Sequence, residues 1–359
     1  MSQFSNRLPH LPNLGDLLRM LKIPADKSLA QNFILDMNIS RKLVRKSDTR
    51  WRNKRVCEIG PGPGGITRAL LQRNIARLDV IEKDKRYLSM LQMLRDVSDN
   101  RMHIHLGDVL KFDWNTLWTD DHEVKRPWHS HPPNALVIGN LPFNISLPLL
   151  VQFLRDMSRR TGVFTHGRTR LVLTFQQEVA NRICAVVDDV LARSRLSIMC
   201  QYLAECHILL DLPGSVFTPR PDVDVSLVSL VPRPYPLIAL PFEVTNKFTR
   251  HLFHYRQKYA RTPCRTLYPD ELAQQLTDEL FDRTELPRTY RSYEFSVEEI
   301  GRLCSVYDEQ CRRIPGLILY DYRNRKPMED LANEVDAVPP EYSFPTDPQI
   351  DSELALSIT

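Results

Sequence analysis

Glu58-Ile59-Gly60-Pro61-Gly62-Pro63-Gly64-Gly65 joins a strand-like run, 55–59 (RVCEI), to a helical stretch at 65–73. Glycines at such a junction let a ligand approach the backbone closely, and the helix N-terminus beyond them offers free N–H donors. Gly60, Gly62 and Gly65 satisfy the G-x-G-x-x-G spacing, and Glu82 ends the next strand-like run. The stretch points to a nucleoside ligand on an α/β sheet, and a nicotinamide dehydrogenase would show the same pattern.

The flanking sequence repeats the alternation. Further strand-like runs are 78–82 (LDVIE), 102–106 (MHIHL), 135–139 (ALVIG) and 170–175 (RLVLTF), with helical stretches at 86–97 and 148–157. Short apolar runs separated by amphipathic helices predict βαβ units and a parallel, Rossmann-like sheet. Two later runs, 206–212 (CHILLDL) and 224–231 (DVSLVSLV), follow a helix at 195–204 and are joined by the turn-rich GSVFTPRP. They predict an antiparallel edge hairpin. The proline-studded VPRPYPLIALP at 231–241 marks a boundary, because proline lacks the N–H that a helix or central strand needs. Helical segments near 243–258, 270–282 and 296–312 then predict a small helical domain. The expected division is an N-terminal helical arm at 1–50, a sheet domain at 51–235, a helical domain at 236–326 and an acidic disordered tail at 327–359. In the arm, Leu14, Leu17, Leu18 and Leu21 share one helical face. Residues 119–134 (TDDHEVKRPWHSHPPN) read as an insertion between strands, and no internal repeat is evident.

Composition narrows the class. A chain of 359 residues with 42% hydrophobic and 26% charged residues has material for a core, which excludes a wholly disordered protein. No apolar run reaches the ~18–20 residues of a membrane helix, so no membrane partner is expected. The net charge of +4 conceals an asymmetry: residues 329–359 hold eight acids and no Lys or Arg, leaving +12 on the rest. Residues 1–57 alone hold 12 basic and 4 acidic side chains. A basic body suits a polyanion, whose phosphates release counterions on neutralisation. The seven scattered cysteines form no C-x-x-C pair and read as small core residues in a reducing compartment. His122, His129 and His131 lack supporting carboxylate or thiol spacing, so no metal is expected. The N-terminus shows no signal-peptide apolar segment. Arg7 is its only basic residue before Asp16, and Pro9 and Pro12 would interrupt an amphipathic helix, so a presequence is weakly signalled.

Three strand ends separate the remaining readings. Glu82 closes the second run, Gly107-Asp108 follows the third, and Asn140-Leu141-Pro142-Phe143 follows the fourth. Strand C-termini face one crevice in an open α/β sheet. A carboxylate after the second strand can accept both ribose hydroxyls, and one after the third can accept an adenine amino group. In that order they point to S-adenosylmethionine. Adenine N6 is a poor nucleophile because its lone pair is delocalised into the ring. The Asn140 side-chain carbonyl and the Leu141 backbone carbonyl can accept its two N–H groups and localise that pair without a strong base. Pro142 fixes the backbone, and Phe143 offers a ring on which a splayed adenine stacks. The basic, aromatic stretch Phe248–Arg265 reads as a helix suited to phosphates and loop bases, with Arg256 and Lys258 as RNA-contacting candidates.

The stretches DKSLAQNFILD (26–36), EIGPGPGGIT, NLPFNIS and Phe217-Thr-Pro-Arg-Pro-Asp-Val resemble the rRNA adenine N6,N6-dimethyltransferase family. LPNLGDLLRMLKI, HGRTRLVLTFQQEVANRI and HLFHYRQKYARTPCRTL are similar to its mitochondrial dimethyladenosine transferase branch, also called the mitochondrial transcription factor B type. The resemblance spans about residues 8–325. It implies a methyltransferase sheet whose cofactor is S-adenosyl-L-methionine, with the arm as a cofactor lid. It implies that Gln31, Asn32 and Ile34 sit over the methionine and ribose part, and that Gly60 contacts the amino-acid end. It further implies that Glu82 holds the ribose, Lys83 the adenine edge, Asp108 the adenine amino group and Asn140 the target amine. Gly62 and Val109 complete the expected cofactor contacts, and Phe217 is expected as a second aromatic wall for the target base. The implied substrate is a pair of adjacent adenosines in the 3′-terminal hairpin loop of small-subunit rRNA, during assembly of that subunit in the mitochondrial matrix. A monomer is expected, with mitochondrial DNA or the transcription machinery as a further partner. The alternative is a nucleic-acid-binding transcription or assembly factor in which methylation is secondary.

Overall fold

The structure, a computed structural model, describes residues 8–9, 11–20, 31–119, 124–324 and 326–335. Leu21, residues 26–30, His122 and the tail from 336 lie outside the described residues. Along the chain, α1 (Leu14–Met20) precedes β1 (Phe33–Ile34) and α2 (Met37–Ser47). Next come β2 (Lys54–Ile59), α3 (Gly65–Leu71), β3 (Ile75–Glu82), α4 (Leu88–Asp96) and β4 (Met102–Leu106). They are followed by β5 (Ala135–Gly139), α5 (Phe143–Arg159), β6 (Arg170–Gln176), α6 (Gln177–Cys184) and α7 (Arg195–Gln201). Strands β7 (Ala204–Leu212), β8 (Phe217–Thr218) and β9 (Val225–Pro232) lead to α8 (Phe242–His254) and α9 (Arg261–Cys264). Helices α10 (Asp270–Thr284), α11 (Val297–Arg313) and α12 (Met328–Val335) come last.

Among the described residues, those up to Ala180 and from Glu205 to Pro234 form one compact unit. Asn181–Ala204 and the chain from Tyr235 form the other. The proline-rich boundary near 235 is therefore one of three crossings. The other two, after Ala180 and after Ala204, carry no proline or glycine signal, because α7 joins the helical unit through burial and side-chain contacts. Its residues Arg195–Cys200 are buried, Arg195 pairs with Asn246 of α8, and the Thr249 hydroxyl lies 3.3 Å from the Met199 sulfur.

The first unit is a seven-stranded sheet in the order β4-β3-β2-β5-β6-β9-β7. Strands β4 to β6 run parallel, and β9 is antiparallel to β6. All five residues of β5 are buried, as a central parallel strand covered on both faces requires. Val56, Leu78, Val80, Leu136 and Ile138 pack with Leu70 and Leu71 of α3 and with Leu91 and Leu94 of α4. The arm is tied down by β1, which pairs antiparallel with β8 through Phe33–Thr218 and Ile34–Phe217. The 124–134 insertion is clamped by Arg168, whose guanidinium donates to the carbonyls of Trp128 (3.0 Å), Ser130 (2.7 Å) and Pro232 (3.0 Å).

In the helical unit, Phe248 and Leu252 of α8 are buried, as are Leu276 and Leu280 of α10 and Ile300, Leu303 and Tyr307 of α11. Two expectations are corrected here. The stretch Phe248–Arg265 is not one helix: α8 ends at His254 and α9 starts at Arg261. The chain leaves the helical path at Tyr255, and beyond it Tyr259 bridges Arg291 while the Ala260 N–H donates to the Tyr290 carbonyl at 2.7 Å. Disorder from 327 is also not what the described residues show, since Met328–Val335 is helical. Its Leu331 is buried beside Gly316, where a side chain would come within 2.7 Å of the Ala332 nitrogen. Tertiary burial of one leucine outweighs the polar composition around it.

Arg168→Ala removes the two carbonyl clamps on the insertion and the third bond that ties Arg168 to Pro232 of β9. It is expected to lower stability by about 1.5–3 kcal/mol, the range for hydrogen bonds from a charged group. Tryptic cleavage after Lys125 is expected to accelerate. Cleavage at the unaltered rate would show that other contacts hold the loop.

Candidate active site

The site is assembled at the C-terminal ends of the parallel strands. Gly60, at the end of β2, has φ +65° and open space where a side chain would stand. Gly62, at φ +52°, lies under the Phe33 ring, and an added Cβ would come within 2.8 Å of it. Glu82, at the tip of β3, is buried and fixes this loop. Its Oε2 accepts from the Gly62 N–H at 2.9 Å and its Oε1 from the Asp84 N–H at 2.8 Å. Burial raises its pKa, opposed by those backbone donors. Glu58 is wholly buried one turn below and accepts from the Thr67 hydroxyl at 2.7 Å. Burial, assisted by the nearby Glu82 charge and opposed by Thr67, pushes its carboxyl up to about 8.

Asp108, after β4, accepts from the Leu110 N–H at 3.0 Å and from Lys83 Nζ at 2.9 Å. Partial burial raises its pKa, but Lys83 and the Leu110 N–H outweigh that and hold it below the usual carboxylate range. Asn140, after β5, donates through Nδ2 to the Asn32 carbonyl at 2.8 Å, so the arm reaches the strand end directly. Gln31 is held between Asp84, to which its Nε2 donates at 3.2 Å, and the Tyr87 hydroxyl at 3.2 Å. Asp84 is in turn gripped by Arg86, with Nη2 at 2.6 Å.

Two adjoining clefts of about 550 and 590 Å³, both open to solvent, result. Asn32, Ile34, Glu58, Gly62 and Asn140 line the first, and Lys83, Asp108, Val109 and Ile145 the second. Gln31, Gly60, Glu82 and Pro142 line both. The structure thus brings together every candidate cofactor residue read from the sequence. Leu141 is buried behind the cleft and Phe143 is half-buried at the start of α5. Phe217 departs from its expected place as an aromatic wall. It is 4% exposed and packs in the core beneath the arm, because its pairing with Ile34 turns it inward. Arg256 and Lys258 lie in the helical unit. Lys258 is exposed, whereas Arg256 stacks 5.9 Å over the Tyr293 ring and donates to the Val190 carbonyl. Among the described residues, no group of His, Cys, Asp and Glu is placed to hold a metal ion.

Sequence reading passed over Glu58, Asp84, Phe33 and Thr174. Asp84 carried a faint signal as an acid two residues past a strand end. Thr174 carried none, because only the β5–β6 register puts it beside Asn140: Gly139 pairs with Leu173, one residue before each. Its hydroxyl meets both Asn140 Oδ1 and the Leu141 nitrogen at 3.1 Å. Chemically, the clefts offer carboxylates to a nucleoside-like cation, and at their rim they offer carbonyl acceptors rather than a strong base.

Comparison with known proteins places this geometry. The model of the family described as ribosomal RNA adenine dimethylase matches residues 24–299. Dimethyladenosine transferase 1, mitochondrial, of Caenorhabditis elegans is 46% identical over 97% of this chain and 96% of its own length. The human protein of that name is 39% identical over 91% of this chain and 94% of its own length. A crystal structure of a dimethyladenosine transferase from Plasmodium falciparum superposes with a TM-score of 0.59. It is 20% identical and covers 77% of this chain and 97% of that one, a likeness of fold.

The raised Glu58 pKa fixes a pH dependence. Its carboxyl holds a proton in the folded state up to about pH 8 but loses it near 4.5 when unfolded. Its contribution to stability is therefore fully present below 4.5 and lost as pH rises through 8. Relative to Glu58→Gln, the ligand-free wild type is expected to lose melting temperature progressively from pH 5 to pH 8. Equal slopes for the two proteins would refute the assignment.

Proposed function

Because the chain belongs to the ribosomal RNA adenine dimethylase family, we propose that these clefts bind the cofactor and target base for N6,N6-dimethylation of two adjacent adenosines. On this reading the adenosines stand in the 3′-terminal hairpin loop of mitochondrial small-subunit rRNA. The chain is an rRNA adenine dimethyltransferase of mitochondria, and its fold and family imply use of S-adenosylmethionine. The observation that carries the finer reading is the order of Glu82, Asp108 and Asn140 at the ends of β3, β4 and β5 around the clefts.

When bound, S-adenosylmethionine supplies a methyl group on a positively charged sulfur. Glu82 would accept from the ribose hydroxyls, since each of its oxygens keeps a lone pair beyond the backbone bond it already accepts. Asp108 would accept from the adenine amino group, with Lys83 at the adenine edge. Gly60 leaves room for the amino-acid end, with Gln31, Asn32 and Ile34 above. On the substrate side, Asn140 Oδ1 and the Leu141 carbonyl accept the two N–H groups of the target amine, localising its lone pair for attack. Phe143 stacks against the extruded base. As each N–C bond forms the amine releases one proton to water, so after the first transfer it retains one N–H and the same acceptors serve the second. The unbroken set from Glu82 to Phe143 favours the enzyme over a transcription or assembly factor with methylation secondary.

Two outcomes test the proposal on a synthetic hairpin with adjacent adenosines, mono- and dimethyl products being read by mass spectrometry. Asn140→Ala is expected to cost about 2.7–4 kcal/mol of transition-state stabilisation, a rate loss on the order of hundreds-fold. Hairpin affinity stays largely intact. Near-full activity in that variant would overturn the mechanism, and methylation of a ring nitrogen by wild type would overturn the substrate. Separately, Asp108→Ala is expected to weaken S-adenosylmethionine by roughly tenfold or more, the worth of a hydrogen bond to a charged group. Unchanged affinity by calorimetry, or tight NAD binding by the wild type, would overturn the cofactor assignment.

A further inference from the structure

We propose that Thr174 is a positioning residue that sets the Asn140 carboxamide as a rigid acceptor by tying it to the backbone N–H that follows it; this rests on the role given to Asn140 above. Thr174 is fully buried on β6, and its hydroxyl has one proton and two lone pairs. It accepts from the Leu141 N–H at 3.1 Å and donates its single proton to Asn140 Oδ1 at 3.1 Å. The other end of the carboxamide, Nδ2, donates to the Asn32 carbonyl at 2.8 Å. One hydroxyl therefore ties the Asn140 side-chain carbonyl to the N–H of the Asn140–Leu141 peptide.

The bridge also selects which way the amide points. Turned over, the carboxamide would set Oδ1 against the Asn32 carbonyl, acceptor against acceptor. Nδ2 would then face a hydroxyl whose proton has lost its acceptor in a buried place. Even with Nδ2 donating to the hydroxyl's remaining lone pair, the Asn32 bond would be lost and the hydroxyl proton left without an acceptor, which buried polar groups do not tolerate cheaply. In the observed orientation Oδ1 spends one lone pair on Thr174 and keeps the other, the one an amine N–H requires. Because the Leu141 N–H is held by the same oxygen, the Asn140–Leu141 peptide from which the carboxamide hangs is fixed with it. The Asn140 acceptor is thus aimed before substrate arrives, which is what electrostatic preorganisation requires.

The test compares Thr174→Val, Thr174→Ser, Asn140→Ala and the Val/Ala double variant in the methyl-transfer assay, with melting temperature and hairpin affinity measured alongside. Thr174→Val keeps the shape and removes the bridge. It is expected to lower kcat about ten- to a hundredfold, the scale of a small misplacement of reacting groups, with KM and hairpin affinity little changed. It is also expected to raise the share of monomethyl product. Thr174→Ser, which keeps the hydroxyl, is expected to restore most of the rate. In the Asn140→Ala background the valine is expected to cost nothing further, because the group it positions is gone. Loss of melting temperature with kcat intact, or an equal kcat loss in both backgrounds, would overturn the proposal. If Asn140→Ala is itself fully active, the reading of Asn140 fails and Thr174 falls with it. If Asn140→Ala is crippled while Thr174→Val is fully active, only the role of Thr174 fails.

Discussion

A carboxylate removed from water at the tip of a parallel strand needs hydrogen bonds, and Glu82 obtains them from the site it organises. Its two oxygens accept from the Gly62 N–H, across on the glycine loop, and from the Asp84 N–H in its own turn. The first bond holds the loop at the height where Gly60 opens onto the cleft. The second sets the turn from which Asp84 grips Arg86 and Gln31. Through Gln31 the arm is drawn over the cleft, and through the Asn32 carbonyl it reaches Asn140. Losing either backbone bond would leave a buried charge undercompensated, so the glycine loop, the arm and the strand ends stand or fall together.

The electrostatics of the two sides differ, and that difference is the chemistry. On the cofactor side carboxylates dominate, with Glu58 and Glu82 both raised by burial and Asp108 kept low by Lys83. A cation entering such a site lowers the cost of ionising its neighbours. On the side proposed for the target amine the described residues offer no comparable base, only the Leu141 peptide oxygen and the Asn140 carboxamide oxygen, the latter settled by hydrogen bonds of that carboxamide to Thr174 and Asn32. An exocyclic amine attacking an electron-poor methyl needs its hydrogens accepted more than it needs a strong proton acceptor.

The basic excess is only partly available to a polyanion, because many of its members serve as clamps on backbone carbonyls. Arg168 holds two carbonyls of the insertion and that of Pro232 in β9, and Arg193, 1% exposed, holds those of Ala185 and Phe295. Lys247 donates to the carbonyls of Leu317, Ile318 and Tyr320. Arg256 is committed to Val190 and Tyr293, which leaves Lys258 as the more available charge of the pair singled out from sequence.

The one-dimensional pattern was sufficient where structure is local. Strands Met102–Leu106 and Ala135–Gly139 fall where their apolar runs predict, and the other sheet strands shift by a residue or a few. The acids after successive strands were legible for the same reason: parallel topology sends every strand end to one edge, so order along the chain becomes neighbourhood in space. Side-chain direction and partnership were not legible. Phe217 looked like an available ring until pairing with Ile34 turned it into the core, and Phe248–Arg265 looked continuous until Tyr259 and Ala260 paired with Arg291 and Tyr290 instead. Asn181–Ala204 left the sheet unit without any break in the sequence to mark it. Thr174, 34 residues from Asn140, met it only through the register of two adjacent strands. Residue order and periodicity thus settled which groups reach the site, since these depend on neighbours along the chain. Which way each group points was settled by packing and hydrogen bonding between segments far apart in sequence, which no local pattern encodes.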